Sequence, residues 1–205
     1  MYKPSKNARR LSDKERYQYR NDGYLTGLPV FSSEAFDNLH SFFVSLSSQL
    51  NKSIDLNQTA QWQKASLIFY ELCTTPQILN YVEDLLGPNF FLWGGQFFLK
   101  EPKDGSVVPW HQDAQYWPLS PLNAVTVWLA LYDTNEENGA MKVVKGSHND
   151  GMFKHHTNKA SNLVLDQEVS NDQIKEEDII SLNLKAGEIS LHNDALLHGS
   201  EANNS

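Results

Sequence analysis

The sequence contains one cysteine, Cys73, and it lacks any long uninterrupted run of apolar residues. A single cysteine excludes an intrachain disulfide and a cysteine-rich metal site, and its apolar surroundings are typical of a small core residue. A membrane helix needs ~18 or more consecutive apolar residues, which no segment provides. The first residues also lack the apolar stretch of a secretory signal. We therefore expect a cytoplasmic protein without a membrane span.

The sequence also has fewer positively charged residues than negatively charged ones. Lysine and arginine together number 17 against 25 aspartate and glutamate residues, which gives a formal net charge of −8. This balance argues against nucleic acid or an anionic membrane surface as the main partner. The hydrophobic content of 40% is that of an ordinary globular protein, and 205 residues suit a single domain with a substantial core.

The pattern of residues changes near position 88. Residues 1–88 are predicted to be mostly helical and residues 89–205 mostly strand, which is an α+β arrangement with a mainly β core. Ser12 and Glu15 form a candidate capping box for the first helix, and Pro76 suits the first position of the last one. The predicted helices begin at Ser12, at Ser32 or Ser33 (running to about Leu50), at Trp62 (to Leu72) and near Pro76 (to Gly87, with Leu79, Val82 and Leu86 facing inward).

The second part contains many short extended segments without intervening helices, a pattern that predicts a barrel or jelly roll. Residues 150–177 are polar and long for a loop, so they are predicted to form a lid or a mobile insertion. The extended segments, with one before position 88, are Tyr24–Phe31, Phe90–Lys100, Val107–Asp113, Ala124–Asp133, Met141–Val144, Ile179–Leu184, Glu188–Leu191 and Leu196–His198.

His111 and Asp113 carry the strongest chemical signal. Residues i and i+2 of a β-strand point to the same face, so this imidazole and this carboxylate are expected to converge. One further histidine would complete a 2-His-1-carboxylate facial triad, which holds Fe(II) and leaves positions open for substrates and O₂. The neighbouring Trp110, Tyr116 and Trp117 are typical of a concave, partly dry site. The competing interpretation is a surface pair.

The second histidine is His192 or His198, and residue context alone leaves both open. His198 has the better context, because Gly199 permits a close backbone approach and Ser200 adds a hydroxyl on the same face. His192 is then a pocket residue or a core histidine. The other histidines lie in polar or turn segments: His40, His148, His155 and His156.

Several stretches together resemble the phytanoyl-CoA dioxygenase family of Fe(II)/2-oxoglutarate oxygenases. They occur in the family's order and extend from about residue 15 to the end of the chain. The resemblance implies a double-stranded β-helix, which is a cupin-like jelly roll, with flanking N-terminal helices. The stretches are Leu85–Asn89, Phe98–Pro102, Trp110–Trp117, Thr126–Leu131, Glu137–His148 and Gly187–Ser200.

The resemblance also implies roles for individual residues. It implies iron ligands at His111, Asp113 and His198. It implies contacts to the cosubstrate 2-oxoglutarate at Ser200, Trp128 and Gln96. We expect the substrate pocket to include Tyr116, Trp117 and His192.

The implied reaction uses O₂ to hydroxylate an unactivated C–H bond of a small molecule, while 2-oxoglutarate is decarboxylated to succinate. Halogenating relatives have a small residue in place of the carboxylate, so Asp113 favours hydroxylation. The substrate and the oligomeric state are left open, and neither nucleic acid nor a membrane is an expected partner.

The family carries an arginine shortly after the distal histidine, where it binds the far carboxylate of 2-oxoglutarate. That position would lie beyond Ser205, so we expect the chain to be C-terminally truncated relative to the family, with the final strand or strands missing. Lys100 or Lys64 is an alternative anchor for this carboxylate. A non-catalytic jelly-roll module that binds a metal or small ligand without this arginine is the second functional hypothesis. A zinc hydrolase is the third, with Glu188 or Glu201 as its candidate base.

Overall fold

The structure is a computed structural model, and it describes residues 9–50, 56–57, 59–117 and 119–205. The chain separates into two compact units. One consists of the described residues up to Leu11 together with Pro29–Leu99, and the other of Ser12–Leu28 and Lys100–Ser205. Within the described ranges, every helix is too short or too polar to cross a bilayer.

Helices and strands follow one another in an order that confirms the α+β prediction. The helices are α1 (Asp13–Asp22), α2 (Ser33–Gln49), α3 (Trp62–Ala65), α4 (Leu67–Cys73) and α5 (Pro76–Leu86). The strands are β1 (Tyr24–Pro29), β2 (Val108–His111), β3 (Val125–Leu129), β4 (Lys142–Val144), β5 (His155–Thr157), β6 (Gln167–Val169), β7 (Ile179–Ser181), β8 (Glu188–Asn193) and β9 (His198–Ser200).

The unit that contains Pro29–Leu99 is helical, and two of its predicted helices differ from expectation. The helix predicted from Trp62 to Leu72 is interrupted at Ser66, whose backbone is extended (φ −141°, ψ 126°), so α3 and α4 are separate. The inward face of α5 is formed by Ile78, Tyr81 and Val82, whereas the predicted Leu79 and Leu86 are only partly buried. The Tyr81 hydroxyl donates to the Pro29 carbonyl at 2.9 Å, which gives this buried phenol a partner.

The strand predicted over Phe90–Lys100 is wrong. Only Gln96 of this segment pairs, in an isolated antiparallel bridge with Ala60. The carbonyl of Gly95 instead accepts hydrogen bonds from the backbone N–H groups of Gln61 and Trp62 at the start of α3. That carbonyl is therefore committed to a helix end and not to a sheet ladder.

The second unit begins with α1, whose predicted capping box is present. The Ser12 hydroxyl accepts from the Glu15 backbone N–H, and the Glu15 carboxylate accepts from the Ser12 backbone N–H. Gly23 ends the helix in the left-handed region at φ +84°. This conformation is one that glycine adopts at little cost.

Two antiparallel sheets and a hairpin make up the rest of this unit. The three-stranded sheet has the order β1-β8-β3, and the four-stranded sheet has the order β2-β9-β4-β7. A buried cluster joins them, because Tyr24 of β1 and Val143 of β4 belong to one hydrophobic core with Leu196. Thus β8 and β9 are central strands, each lying between two earlier ones.

The polar segment predicted to be an insertion folds into the hairpin of β5 and β6. The middle of this segment is hydrogen-bonded to Val107, the residue just before β2. The Val107 backbone N–H donates to the Asn162 carbonyl, and the Val107 carbonyl accepts from the Val164 N–H, both at 2.9 Å. Its function as a lid stays a prediction.

Candidate metal centre

His111 and Asp113 lie at the end of β2. The prediction placed both residues in the strand, but the strand ends at His111, and Asp113 begins a 3₁₀ turn. The intervening Gln112 is still extended (φ −119°, ψ 131°). The two side chains therefore converge as expected, with Nε2 of His111 3.7 Å from Oδ1 of Asp113.

His198 is brought to this pair by the β2–β9 ladder. It is the cross-strand partner of His111, and the two ring centroids are 4.1 Å apart. Nε2 of His198 lies 3.6 Å from the same Oδ1 of Asp113. One ligand atom from each of the three residues lies within 4.8 Å of the others.

Backbone carbonyls fix the orientation of both imidazoles. Nδ1 of His111 is 2.8 Å from the Pro109 carbonyl oxygen, and Nδ1 of His198 is 2.9 Å from the Leu196 carbonyl oxygen. A carbonyl only accepts, so each Nδ1 carries a proton and donates, and Nε2 of each ring is directed toward Asp113. Partners of this kind orient the ligating histidines of metal sites.

The electrostatics give Asp113 and His198 the protonation states that a metal needs. Burial alone would raise the pKa of Asp113, but the surrounding imidazoles of His198, His111 and His192 outweigh it and hold that pKa well below its ordinary value. Burial, assisted by His111 and His192, lowers the pKa of His198 well below its ordinary value. An ionised carboxylate therefore faces a neutral imidazole, and these are the forms that bind cations.

This donor set fits a divalent transition metal. Two metal–ligand bonds of about 2.1 Å together reach about 4.2 Å, so the 3.6 and 3.7 Å separations are within bridging distance of one cation. Two imidazoles and one carboxylate are the donor set of the facial triad typical of non-haem Fe(II) oxygenases, so these three residues would hold such a metal.

The residues predicted to line the pocket lie at different distances from this cluster. His192, fully buried on β8, has its ring 4.5 Å from that of His198. Tyr116 packs its edge against His111 at 6.0 Å, and burial raises the pKa of its phenol to about 12. Trp117 is partly buried. The roles assigned to Tyr116, Trp117 and His192 remain predictions.

The residues predicted to contact 2-oxoglutarate come from different parts of the chain. Ser200 ends β9, and its hydroxyl accepts from the ammonium of Lys100 at 2.7 Å. Trp128 lies on β3 and packs against the core cluster that contains Leu196. Gln96 lies in the helical unit and is exposed. Their contacts with the cosubstrate also remain predictions.

The two bases considered for a zinc hydrolase lie outside the metal cluster. The Glu188 carboxylate accepts from the Lys185 backbone N–H at 2.9 Å. Glu201 is 62% exposed, and its carboxylate lies 3.7 Å from the Lys142 ammonium. The structure thus gives this hypothesis no support.

Sequence reasoning missed Gln112, the fully buried residue between His111 and Asp113. Its amide donates to the carbonyls of Gly151 and Ala195 and accepts from the N–H of Phe153. The backbone N–H of Gln112 donates to Nε2 of His155 at 3.1 Å. Successive side chains of a strand point to opposite faces, so the Gln112 side chain points away from those of His111 and Asp113. This alternation was the one sequence signal that could have identified its separate role.

Gly199 allows the close approach of β9 to β2 that brings the histidines together. A Cβ atom on Gly199 would lie 2.9 Å from the Val108 carbonyl oxygen and 3.2 Å from that of Pro109. Gly199→Ala is therefore expected to lower the free energy of unfolding by about 1–3 kcal/mol and to weaken metal binding, because the Pro109 carbonyl orients His111. Urea denaturation and metal titration measure these effects. Gly95→Ala, whose Cβ would meet only side-chain atoms at 3.3 Å or more, is the control, and equal losses in both variants would contradict the prediction.

A family model described as phytanoyl-CoA dioxygenase (PhyH) matches residues 19–205. The chain belongs to the phytanoyl-CoA dioxygenase family. The resemblance found in the sequence motifs is thereby confirmed. Fe(II), 2-oxoglutarate and O₂ are the cofactors of this family, and the donor set at His111, Asp113 and His198 fits the metal.

Individual relatives agree with this assignment. The peroxisomal phytanoyl-CoA dioxygenase of Bos taurus is 28% identical over 147 residues, which cover 66% of this chain and 42% of that protein. The chain thus matches less than half the length of this relative. A solved structure of the apo non-heme monooxygenase ThoJ is 26% identical and covers 93% of this chain and 72% of its own, with a TM-score of 0.75. EvdO2 from Micromonospora carbonacea var. aurantiaca, complexed with 2-oxoglutarate, shares the fold at 17% identity and a TM-score of 0.76, covering 97% and 87% of the two chains.

Proposed function

We propose that the protein is an Fe(II)/2-oxoglutarate-dependent dioxygenase that hydroxylates an unactivated C–H bond of a small molecule and converts 2-oxoglutarate to succinate. The observation that carries this proposal is the buried cluster of His111, Asp113 and His198 at the ends of paired strands. Membership of the phytanoyl-CoA dioxygenase family supports the same reaction class.

The fold proposed for this activity is a double-stranded β-helix, or jelly roll, with flanking N-terminal helices in one domain of residues 1–205. The two antiparallel sheets of the strand unit would be its two faces. The shared core of Tyr24, Val143 and Leu196 supports this arrangement, because these residues come from different sheets and a connecting loop.

The protein's own contribution is to hold charged groups in fixed places. Iron and 2-oxoglutarate, when bound, supply the oxidising chemistry for C–H cleavage. The low pKa of His198 leaves its imidazole neutral, so this residue needs to lose no proton on binding the cation. Asp113 supplies the negative charge, and the burial of the two imidazoles keeps water from their ligating atoms.

Lys100 is a candidate for the cation that receives the far carboxylate of 2-oxoglutarate. Its ammonium donates to the Ser200 hydroxyl at 2.7 Å, to the Gly139 carbonyl at 2.8 Å and to the Glu201 carbonyl. Burial lowers the pKa of Lys100 to about 8, although the negative charges of Glu201 and Asp104 oppose this. A carboxylate would replace one of the three neutral acceptors.

Lys100→Met is expected to weaken 2-oxoglutarate binding by roughly tenfold or more, since charge-assisted hydrogen bonds contribute about 1.5–3 kcal/mol. The lysine is cationic below its pKa, so the affinity of the unaltered protein is expected to fall as the pH rises through about 8. Lys100→Arg should remove this fall. Calorimetry on metal-loaded protein measures both effects. Lys185→Met, at a largely exposed lysine, is the control. An unchanged affinity in Lys100→Met would remove Lys100 from the cosubstrate site.

The reaction itself is tested by following 2-oxoglutarate and succinate by NMR in the presence of Fe(II), ascorbate and O₂. The expected result is succinate formation by the protein and none by His111→Ala. Candidate substrates are then identified as compounds that accelerate succinate formation. Binding of 2-oxoglutarate to the iron-loaded protein without any succinate would instead favour the non-catalytic binding module.

A further inference from the structure

The two carboxylate oxygens of Asp113 have different surroundings. Oδ1 faces the metal cluster, at 3.7 and 3.6 Å from Nε2 of His111 and His198. Oδ2 accepts a hydrogen bond from the Thr126 hydroxyl at 2.6 Å and lies 3.3 Å from Nε2 of His192. One oxygen is therefore directed to the metal ligands, and the other is directed away from them.

The groups around Oδ2 come from the other sheet. Thr126 on β3 and His192 on β8 are directly opposite each other in the antiparallel ladder, and paired residues of a ladder point to the same face. The iron-ligating histidines lie on β2 and β9 of the four-stranded sheet. Asp113 is thus contacted from both sheets, with one oxygen facing each.

The hydrogen bond from the Thr126 hydroxyl to Oδ2 of Asp113 is short. An O–H···O⁻ bond of 2.6 Å is within the short range of charge-assisted hydrogen bonds. His192 is fully buried, and neither of its ring nitrogens has a well-aligned hydrogen-bond partner among the described residues. A buried polar ring without such a bond is costly, so its position 3.3 Å from Oδ2 calls for a role beyond packing.

We propose that Thr126 is a positioning residue that holds Oδ2 by a hydrogen bond, that His192 encloses the same oxygen at 3.3 Å, and that together they present Asp113 to the metal through Oδ1 alone. This inference rests on the proposed metal site. A carboxylate with two free oxygens can bind one cation through both and occupy two coordination positions. Holding one oxygen limits Asp113 to a single position and leaves three positions for 2-oxoglutarate and O₂. Groups that orient a ligand in this way commonly change metal affinity by about 10–100-fold when they are removed.

The decisive variants are Thr126→Val, which removes the hydroxyl at nearly constant shape, and Thr126→Ser, which restores it. The probe is Co(II), whose affinity is measured by calorimetry and whose visible absorption reports coordination number. Thr126→Val is expected to weaken Co(II) binding by about 10–100-fold and to alter the spectrum. Thr126→Ser is expected to restore both. Thr134→Val is the matched control, because the Thr134 hydroxyl is also hydrogen-bonded, but its partners are the Leu182 carbonyl and the Leu184 N–H and not the metal cluster.

The outcomes separate this inference from the proposed function. If the unaltered protein binds no Co(II), the proposed metal site fails and the inference fails with it. If the unaltered protein binds Co(II) and Thr126→Val has the same affinity and spectrum, only the inference is overturned. Equal effects of Thr126→Val and Thr134→Val would also overturn it, since they would indicate a general loss of stability. His192→Leu provides a second variant and is expected to alter the spectrum in the same direction.

Discussion

Asp113→Ala is expected to abolish stoichiometric metal binding while the protein stays folded. Asp113 is the one carboxylate of the buried cluster and supplies the charge that balances the cation. The loss should therefore exceed the roughly 10–100-fold typical of residues that only orient a ligand. The fold is expected to survive because burial keeps His198 neutral, so removal of the carboxylate leaves no unpaired buried charge there.

Metal content after dialysis, together with the thermal midpoint, measures this result. Asp172→Ala removes an exposed carboxylate from the same unit and serves as the control. His111→Ala is expected to behave like Asp113→Ala. If either variant retained one equivalent of iron, that residue would be removed from the ligand set.

Gln112→Leu is expected to lower the free energy of unfolding by about 1–3 kcal/mol. The substitution keeps most of the side-chain volume but leaves the carbonyls of Gly151 and Ala195 and the N–H of Phe153 without their partner. Ala195 is buried, and a polar group left unsatisfied in a buried position costs about 1–3 kcal/mol. Gly151 is exposed, so water can replace the partner of its carbonyl. Urea denaturation should show a clear fall in the midpoint with little change in slope.

Gln115→Leu makes the same chemical change three positions along, at an exposed residue of the same turn. It is expected to change stability by less than about 0.5 kcal/mol. A loss below about 1 kcal/mol in Gln112→Leu would mean that water or a shifted backbone replaces the amide, and that Gln112 does not hold the loops around the metal site.

Patterns formed by residues a few positions apart in the sequence predicted much of the secondary structure. The capping box of Ser12 and Glu15 depends on residues three positions apart, and a sequence shows such spacing directly. The same applies to His111 and Asp113, although Asp113 lies one residue beyond an extended Gln112 and not within the strand. Choosing His198 over His192 required the family motif, since both residues lie on or beside apolar strands.

Contacts between distant segments could not be predicted in this way. The Thr126–Asp113 bond requires the orientation of β3 relative to the end of β2. The Lys100–Ser200 bond joins residues that are 100 positions apart in the sequence. The break at Ser66 was also missed, because neither glycine nor proline marks it. Such features depend on the tertiary arrangement, and propensity and periodicity do not encode it.

The position of β8 and β9 in their sheets has a consequence for the biosynthesis of the protein. Both are late in the sequence, yet each lies between two strands that leave the ribosome much earlier. The nascent chain must therefore keep β1 apart from β3, and β2 apart from β4, until β8 and β9 insert. Pairings over such long loops form slowly. Because His198 arrives with β9, iron acquisition is expected to follow the pairing of β9 with β2.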